Sequence, residues 1–288
     1  DGYCAKFYSY EKNVIQCLQK TTFFHSVGYY YTLITLILGF KDGQQGKVTG
    51  LSAHGDATET IKIFEKFIFF DNRRGKFINK GSHFLDNFDK LKKELSQFSR
   101  EDIAAGIQLH LENCVISYIK SCIDSLKFGK NQVNLVLAGG VFANVLLNAK
   151  IADLEQVHKI FIFPNMTDGG LAAGSAAAIE SQICGKVHSH KIEHVYLGRS
   201  FSNSEIENTL KGSNLNFEYY ENIERTVAEA LAQKKVIARF NGRLEFGPRA
   251  LGNRSILYSA SNLDVNQWLN NKLKRSEFMP FAPAVLEE

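Results

Sequence analysis

The stretch Val133-Asn134-Leu135-Val136-Leu137-Ala138-Gly139-Gly140-Val141-Phe142-Ala143-Asn144 joins an apolar run to a glycine pair. Residues 133–137 predict a strand, the glycines a sharp turn, and residues 142–150 a helix. The same order follows at once. Residues 159–163 predict a second buried strand, Pro164-Asn165-Met166-Thr167-Asp168-Gly169-Gly170 a loop, and residues 171–183 a helix of small residues. Two successive strand–loop–helix units predict an α/β fold with parallel strands. Ligand loops in such folds lie at the C-terminal ends of the strands.

Upstream, Ile103, Ile107, Leu111, Cys114, Tyr118, Cys122 and Leu126 recur at helical spacing. They predict a helix over 100–127, opened by a capping-box-like Ser99 and Asp102 and closed by Gly129. Residues 26–39 predict a further apolar helix stopped by Gly39. Between them, 41–56 reads as a glycine-rich loop, and 60–95 has a mixed, charged pattern without a clear period. Residues 3–9 and 14–18 alternate about Glu11-Lys12-Asn13 and predict a hairpin.

Downstream, 185–194 is polar and histidine-rich, which places a domain boundary between 1–188 and 189–288. The second part predicts helices at 204–211 and 223–232 and strands at 216–220 and 235–240, an α+β pattern. The chain has 288 residues, close to where single cores stop growing, so two domains are expected. Hydrophobic residues make up 44% and charged residues 22%, which excludes a disordered chain. A net charge of +4 is too small a bias to indicate nucleic acid or a membrane surface. The five cysteines form no C-x-x-C pair, so neither a disulfide framework nor a cysteine zinc site is indicated, and a cytoplasmic location is expected. The longest apolar stretch, 27–40, is shorter than the roughly 20 residues that span a bilayer. No signal-peptide pattern opens the chain. Residue 1 is Asp, within a strand-like stretch, and the chain stops without a tail, which suggests a piece of a longer protein.

Three motifs carry chemistry. The turn at Gly139-Gly140 would expose backbone N–H groups at a helix start and let a phosphate or nucleotide come close. Its alternative is a tight turn in which glycine only relieves crowding. Asp168-Gly169-Gly170 places a carboxylate at a strand end, suited to a metal or to a helix N-cap. Arg239, Arg243, Arg249 and Arg254 fall within sixteen residues, with Glu245 among them and three glycines and a proline shaping the run 241–255. Guanidinium forks match phosphate and carboxylate, so an anion site is preferred to a surface patch. His190-Lys191-Ile192-Glu193-His194 has the H-x-x-E-H zinc spacing but sits in an extended linker, which removes the helix that chemistry needs. The basic and proline-rich stretch 272–283 is read as structural, as are His25, His83 and His110.

Together these motifs resemble the NodU/CmcH-type carbamoyltransferase family, which includes nodulation proteins. The resemblance rests on Ser26-Val27-Gly28 through Leu51, Ala138 to Asn144, Asp168 to Gly174, Gly242 to Ser255, and Pro280 to Glu287, and spans nearly the whole chain. It implies part of an actin-like ATPase domain (ASKHA, ribonuclease-H-like) followed by the start of a YrdC-like α+β domain. It implies an ATP-dependent O-carbamoyltransferase of biosynthetic type. Carbamoyl phosphate and ATP would form a carbamoyl-adenylate, and the carbamoyl group would pass to a hydroxyl-bearing small-molecule acceptor. By motif, Gly139, Gly140, Asn144, Gly169 and Gly170 fall on the nucleotide site, and Asp168 on a divalent metal, iron in the family. Arg243, Arg249, Arg254 and Ser255 fall on the carbamoyl-phosphate site, with Arg249 and Arg254 in the catalytic role. The family's H-x-x-x-H metal histidines have no counterpart at the matching place, and Ser52-Ala53-His54 stands where an aromatic usually precedes Gly55. The alternative from another class is a non-catalytic nucleotide- or RNA-binding module related to tRNA threonylcarbamoylation proteins.

Overall fold

A computed structural model describes residues 2–82, 84–126, 132–186, 191–261, 264–274 and 281–286. The chain divides into two compact units, residues 1–188 and 189–288.

The first unit opens with the antiparallel hairpin β1 (Tyr3–Glu11) and β2 (Val14–Thr22). Its strands outrun the expected ones, and its turn places Lys12 and Asn13 at φ 49° and 66°. Helix α1 (Val27–Ile37) follows, capped by Ser26, whose hydroxyl accepts the Tyr29 N–H. The expected loop at 41–56 is instead helix α2 (Gln45–Leu51) and a 3-10 turn, Ser52–His54. Packing overrides the glycines here: Val48 and Leu51 are buried, and α2 lies against α1 and the long helix Arg100–Ser125. The stretch without a clear period resolves into α3 (Thr60–Phe67), the antiparallel pair β3 (Ile68–Asp71) and β4 (Lys76–Asn79), and α4 (Phe84–Leu95).

Helix α5 (Arg100–Ser125) is the core of this unit. All the expected stripe from Ile103 to Cys122 is buried, and further faces bury Ala104, Val115 and Ile119. Only half of the capping box forms. Ser99 accepts the Asp102 N–H at 3.0 Å, but the Asp102 carboxylate turns away to accept the Asp56 N–H at 2.7 Å. The expected stop at Gly129 lies outside the described residues.

Strands β5 (Val133–Leu137) and β6 (Val157–Ile162) pair in parallel, with α6 (Val145–Ala152) between them in sequence and packed on β6. They are not buried on both faces as expected. Val136 is 75% exposed and Phe161 42%, so one face of this two-stranded ribbon lies open among the described residues. Helix α7 (Leu171–Cys184) buries none of its residues and ends at Gly185 in the left-handed region.

The second unit contains α8 (Asn203–Gly212), α9 (Ile223–Ala232), the antiparallel pair β7 (Ile237–Phe240) and β8 (Arg254–Leu257), and α10 (Val265–Lys272). A full capping box, Ser202 with Glu205, starts α8. The strand expected at 216–220 is absent, because this segment meets no partner strand and leaves Phe217, Tyr219 and Tyr220 exposed. The fold is thus mixed α/β with small sheets. Among the described residues no helix is long and apolar enough to cross a membrane, and all five cysteines are free thiols.

Candidate functional site

The two glycine loops of the first unit lie side by side. Parallel pairing brings both strand ends to one edge, where the Gly139 N–H donates to the Met166 carbonyl at 2.6 Å and the Phe163 N–H to the Leu137 carbonyl at 3.0 Å. The glycines have different reasons to be glycine. Gly139 sits at φ +120°, a conformation that side chains rarely adopt. Gly170 is required by close approach, since a Cβ there would lie 2.3 Å from the Asn165 carbonyl oxygen and 3.0 Å from the Phe163 ring. At Gly169 the Asn165 side chain would be 2.5 Å away. Gly140 has neither constraint: a Cβ built there meets nothing within 4 Å. Open space therefore lies over the turn where a nucleotide was expected.

Asp168 is exposed and, among the described residues, its carboxylate makes no hydrogen bond. It does not cap a helix, since Thr167 precedes the 3-10 turn Asp168–Gly170 and Gly170 precedes α7. No group of three or more His, Cys, Asp or Glu suited to a metal exists among the described residues.

Asn144 has a richer environment than its motif suggests. Its side-chain oxygen accepts the Leu147 N–H at 3.1 Å and so caps α6. Its amide pairs with that of Gln108: Asn144 Nδ2 donates to Gln108 Oε1 at 2.8 Å, and Gln108 Nε2 to Asn144 Oδ1 at 3.1 Å. Gln108 Nε2 also donates to Glu112 Oε1 at 2.7 Å, and the Tyr31 hydroxyl donates to Gln108 Oε1 at 2.9 Å. Tyr31 shares a 2.8 Å hydrogen bond with Thr49, and Lys150 pairs with Glu112. Burial raises the Tyr31 hydroxyl well above the usual phenol range, and the Glu112 charge adds to that. Beside this network lies a cleft of about 430 Å³, walled by small residues such as Ser52, Ala53 and Ala149, with Gln108, Glu112 and Lys150 on its lining. Sequence reasoning missed Tyr31, Thr49, Gln108, Glu112 and Lys150. The usable signal was a polar pair at i,i+4 beside the apolar stripe of α5.

In the second unit the arginine run is organised by its one acid. Glu245 is 8% exposed. Its Oε1 accepts N–H bonds from Leu251, Asn253 and Arg254 at 2.9, 2.8 and 3.1 Å. Burial alone would raise this carboxyl; the converging backbone donors outweigh it and hold it at about 2. The loop thus closes on a carboxylate that stays ionised. Arg254 is committed to the loop as well. Its Nη1 donates to the Asn241 and Asn253 carbonyls at 2.7 and 2.9 Å, its Nη2 to Gly242 at 3.2 Å, and its guanidinium lies 3.5 Å from the Phe240 ring centroid. Arg243 donates from Nε to the Gly198 carbonyl at 2.7 Å, and Ser255 accepts the Gly252 N–H at 2.9 Å. Arg249 differs: it is exposed and has no partner among the described residues. Of the three it is the one with its whole guanidinium unpaired; Arg243, held only through Nε, keeps its Nη groups unbonded among the described residues, whereas Arg254 has both Nη groups engaged.

Of the H-x-x-E-H stretch, His190 lies outside the described residues, and Lys191–His194 has no helix. Residues 275–280 of the basic, proline-rich stretch and His83 also lie outside them. His25 accepts the Asn79 N–H on Nδ1 at 3.0 Å, and His110 is buried in the core, so both are structural.

Two family models match this sequence, Carbamoyltransferase N-terminus over residues 3–177 and Carbamoyltransferase C-terminus over residues 228–288. The chain is 30% identical to Nodulation protein NolO of Bradyrhizobium diazoefficiens, over 92% of the chain and 49% of that protein. It is 30% identical to 3'-hydroxymethylcephem-O-carbamoyltransferase of Streptomyces clavuligerus, over 52% of the chain and 27% of that protein. An uncharacterized protein of Methanocaldococcus jannaschii is 33% identical over 91% of the chain and 44% of its own length. The chain spans about half the length of the first curated relatives that it matches. With N- and C-terminal family models falling on the glycine-loop unit and on the arginine loop, the chain belongs to the carbamoyltransferase family.

Proposed function

We propose that this chain supplies the nucleotide loop and the carbamoyl-phosphate loop of an ATP-dependent O-carbamoyltransferase. The observation that carries the reading is the Gly139-Gly140 turn: positive φ at Gly139, open space over Gly140, and a second glycine loop hydrogen-bonded alongside. The Gly139 N–H is taken by the Met166 carbonyl, so the backbone N–H groups that can meet phosphate oxygens are those from Gly140 onward, where a 3-10 turn, Gly140–Ala143, begins and a Cβ at Gly140 would meet nothing within 4 Å. Residues 1–188 correspond in this proposal to part of an actin-like ATPase domain, and residues 189–288 to the start of a YrdC-like domain.

ATP fits Gly139 and Gly140 as direct neighbours, while Gly169, Gly170 and Asn144 shape the turn. Carbamoyl phosphate is a small dianion, and Arg249 offers it an open fork. Arg254 and Ser255 hold the backbone that presents Arg249, so in this reading they position rather than contact, while Arg243, anchored through Nε to the Gly198 carbonyl, keeps its Nη groups for the same anion. Forming a carbamoyl-adenylate releases phosphate from carbamoyl phosphate and pyrophosphate from ATP; AMP is then the leaving group when the acceptor hydroxyl attacks the carbamoyl carbon and gives up its proton to solvent. The acceptor is a small molecule with a free hydroxyl, a class consistent with the name of the cephem relative. The described residues do not fit a metal centre, because Asp168 stands without further ligands of the usual types, so no step is routed through iron or another ion.

Two variants test this in the full-length enzyme. Arg249→Ala removes a charge-assisted donor pair and should weaken carbamoyl-phosphate binding about ten- to a hundred-fold. Its melting temperature should stay unchanged, since no intramolecular partner is lost among the described residues. Equal carbamoyl-phosphate affinity in the variant would refute the assignment. Gly140→Val puts a side chain into the space over the turn, where a Cβ meets nothing within 4 Å. Calorimetric titration should find ATP binding at least about ten-fold weaker in a well-folded protein. Unaltered ATP affinity there would remove the nucleotide reading.

A further inference from the structure

A short 3-10 turn, Gly140–Ala143, joins the glycine pair to the cap of helix α6, and α5 grips α6 at both ends. Asn144, the cap of α6, is bonded to Gln108; Lys150, near the helix's far end, is bonded to Glu112. Gln108 and Glu112 are themselves joined, one helical turn apart. The direction of every bond is fixed by the carboxylate. An ionised Glu112 only accepts, so Gln108 must present Nε2 to it. Gln108 Oε1 then faces Asn144 Nδ2 and the Tyr31 hydroxyl. That leaves Asn144 Oδ1 aimed at the Leu147 N–H, which is the capping geometry. Glu112 is 4% exposed at its side chain, whereas Lys150 is 49% exposed. A buried carboxylate paired with a half-exposed lysine is a poor device for stability alone, because desolvation offsets the attraction. Its effect on orientation is not offset.

We propose that Glu112 is a positioning residue: through Gln108 and Lys150 it sets the rotation of α6 and thereby the shape of the Gly139-Gly140 turn. The kinetic part of this inference rests on the nucleotide reading of that turn; the structural part does not.

The test uses the full-length protein and the double variant Glu112→Leu/Lys150→Leu, with Glu112→Gln as the conservative change. Replacing a buried ion pair by apolar residues is commonly neutral in stability. The double variant should therefore melt within about 2 °C of the wild type. It should nonetheless bind ATP about ten-fold more weakly, with kcat at saturating ATP little changed. Its amides at 139–148 should exchange with solvent about ten-fold faster without any nucleotide present. Glu112→Gln keeps an acceptor facing Gln108 and should retain most of the ATP affinity. Unchanged ATP affinity in the double variant, with Gly140→Val still weakening binding, overturns the proposal and leaves the nucleotide reading standing. If Gly140→Val has no effect either, the nucleotide reading fails, and exchange at 139–148 decides: faster exchange supports the positioning role, equal exchange overturns it. A double variant that does not fold also overturns it, since the pair is then structural.

Discussion

Acidification from pH 7 to pH 4 should cost the chain about 3 kcal/mol of stability through one side chain, His110. This histidine lies on α5 with 2% of its surface exposed, its Nε2 3.7 Å from Cys114 Sγ and its ring centroid 6.0 Å from that of Phe64. Burial lowers its pKa to about 4, and a hydrogen bond to the backbone of Ile68 only partly opposes this. In the unfolded chain it titrates near 6.5. Above that pH both states hold it neutral, and its packing contributes fully. Between 6.5 and 4 the unfolded state alone takes up the proton, so stability falls as pH falls. Below about 4 both states are protonated and the loss stops. Carboxylates add an acid loss of their own, so the measurement is a difference. Urea unfolding at pH 7, 5.5 and 4.5 should give a steeper decline for the wild type than for His110→Gln. Parallel declines would show that His110 does not titrate on unfolding.

Asn144→Leu should lower the stability of the first unit by about 2–3 kcal/mol. The substitution removes the α6 cap, worth about 1 kcal/mol. It also strips the buried Gln108 amide of two of its bonds, at about 1–2 kcal/mol. Urea unfolding followed by circular dichroism checks the figure. Asn144→Asp keeps an acceptor for the Leu147 N–H but sets a carboxylate against Gln108 Oε1, so it should recover only part of the loss. If the leucine variant matches the wild type, the amide pair carries no weight in the fold. ATP affinity in Asn144→Leu should fall along with stability, which is why Gly140→Val is the cleaner probe of the loop.

Local signals were readable where they did not depend on distant partners. The hairpin at Lys12-Asn13, the stop of α1 at Gly39, the buried stripe of α5 and the strand–turn–helix unit over Val133–Ala152 are written in spacing and turn chemistry, although the helix expected at 142–150 starts at Val145, after a 3-10 turn at Gly140–Ala143. The helix at Gln45–Leu51 was not, because two internal glycines mask it and packing on α1 and α5 stabilises it. The strand expected at 216–220 failed for the opposite reason: its pattern is right, but it meets no strand to pair with. At the site, the glycine pair and the arginine run were legible as chemistry. Their internal roles were not, since which glycine is strained, which is crowded and which is open depends on neighbours far along the chain. Glu245 looked like the odd acid among arginines; only the fold shows it as the acceptor that closes the loop. Gln108 and Glu112 were hidden by lying within a helix whose apolar stripe drew all the attention.

The ribbon of β5 and β6 has a consequence for anyone handling the protein. Both its outer edges offer backbone donors and acceptors with no strand of the described residues against them, and Val136 and Phe161 give one face an oily surface. At high concentration the most abundant source of a matching strand is another copy of the same chain. Dilution should therefore keep a preparation clear for longer, and a short strand-like peptide or a mild detergent added early should extend its shelf life.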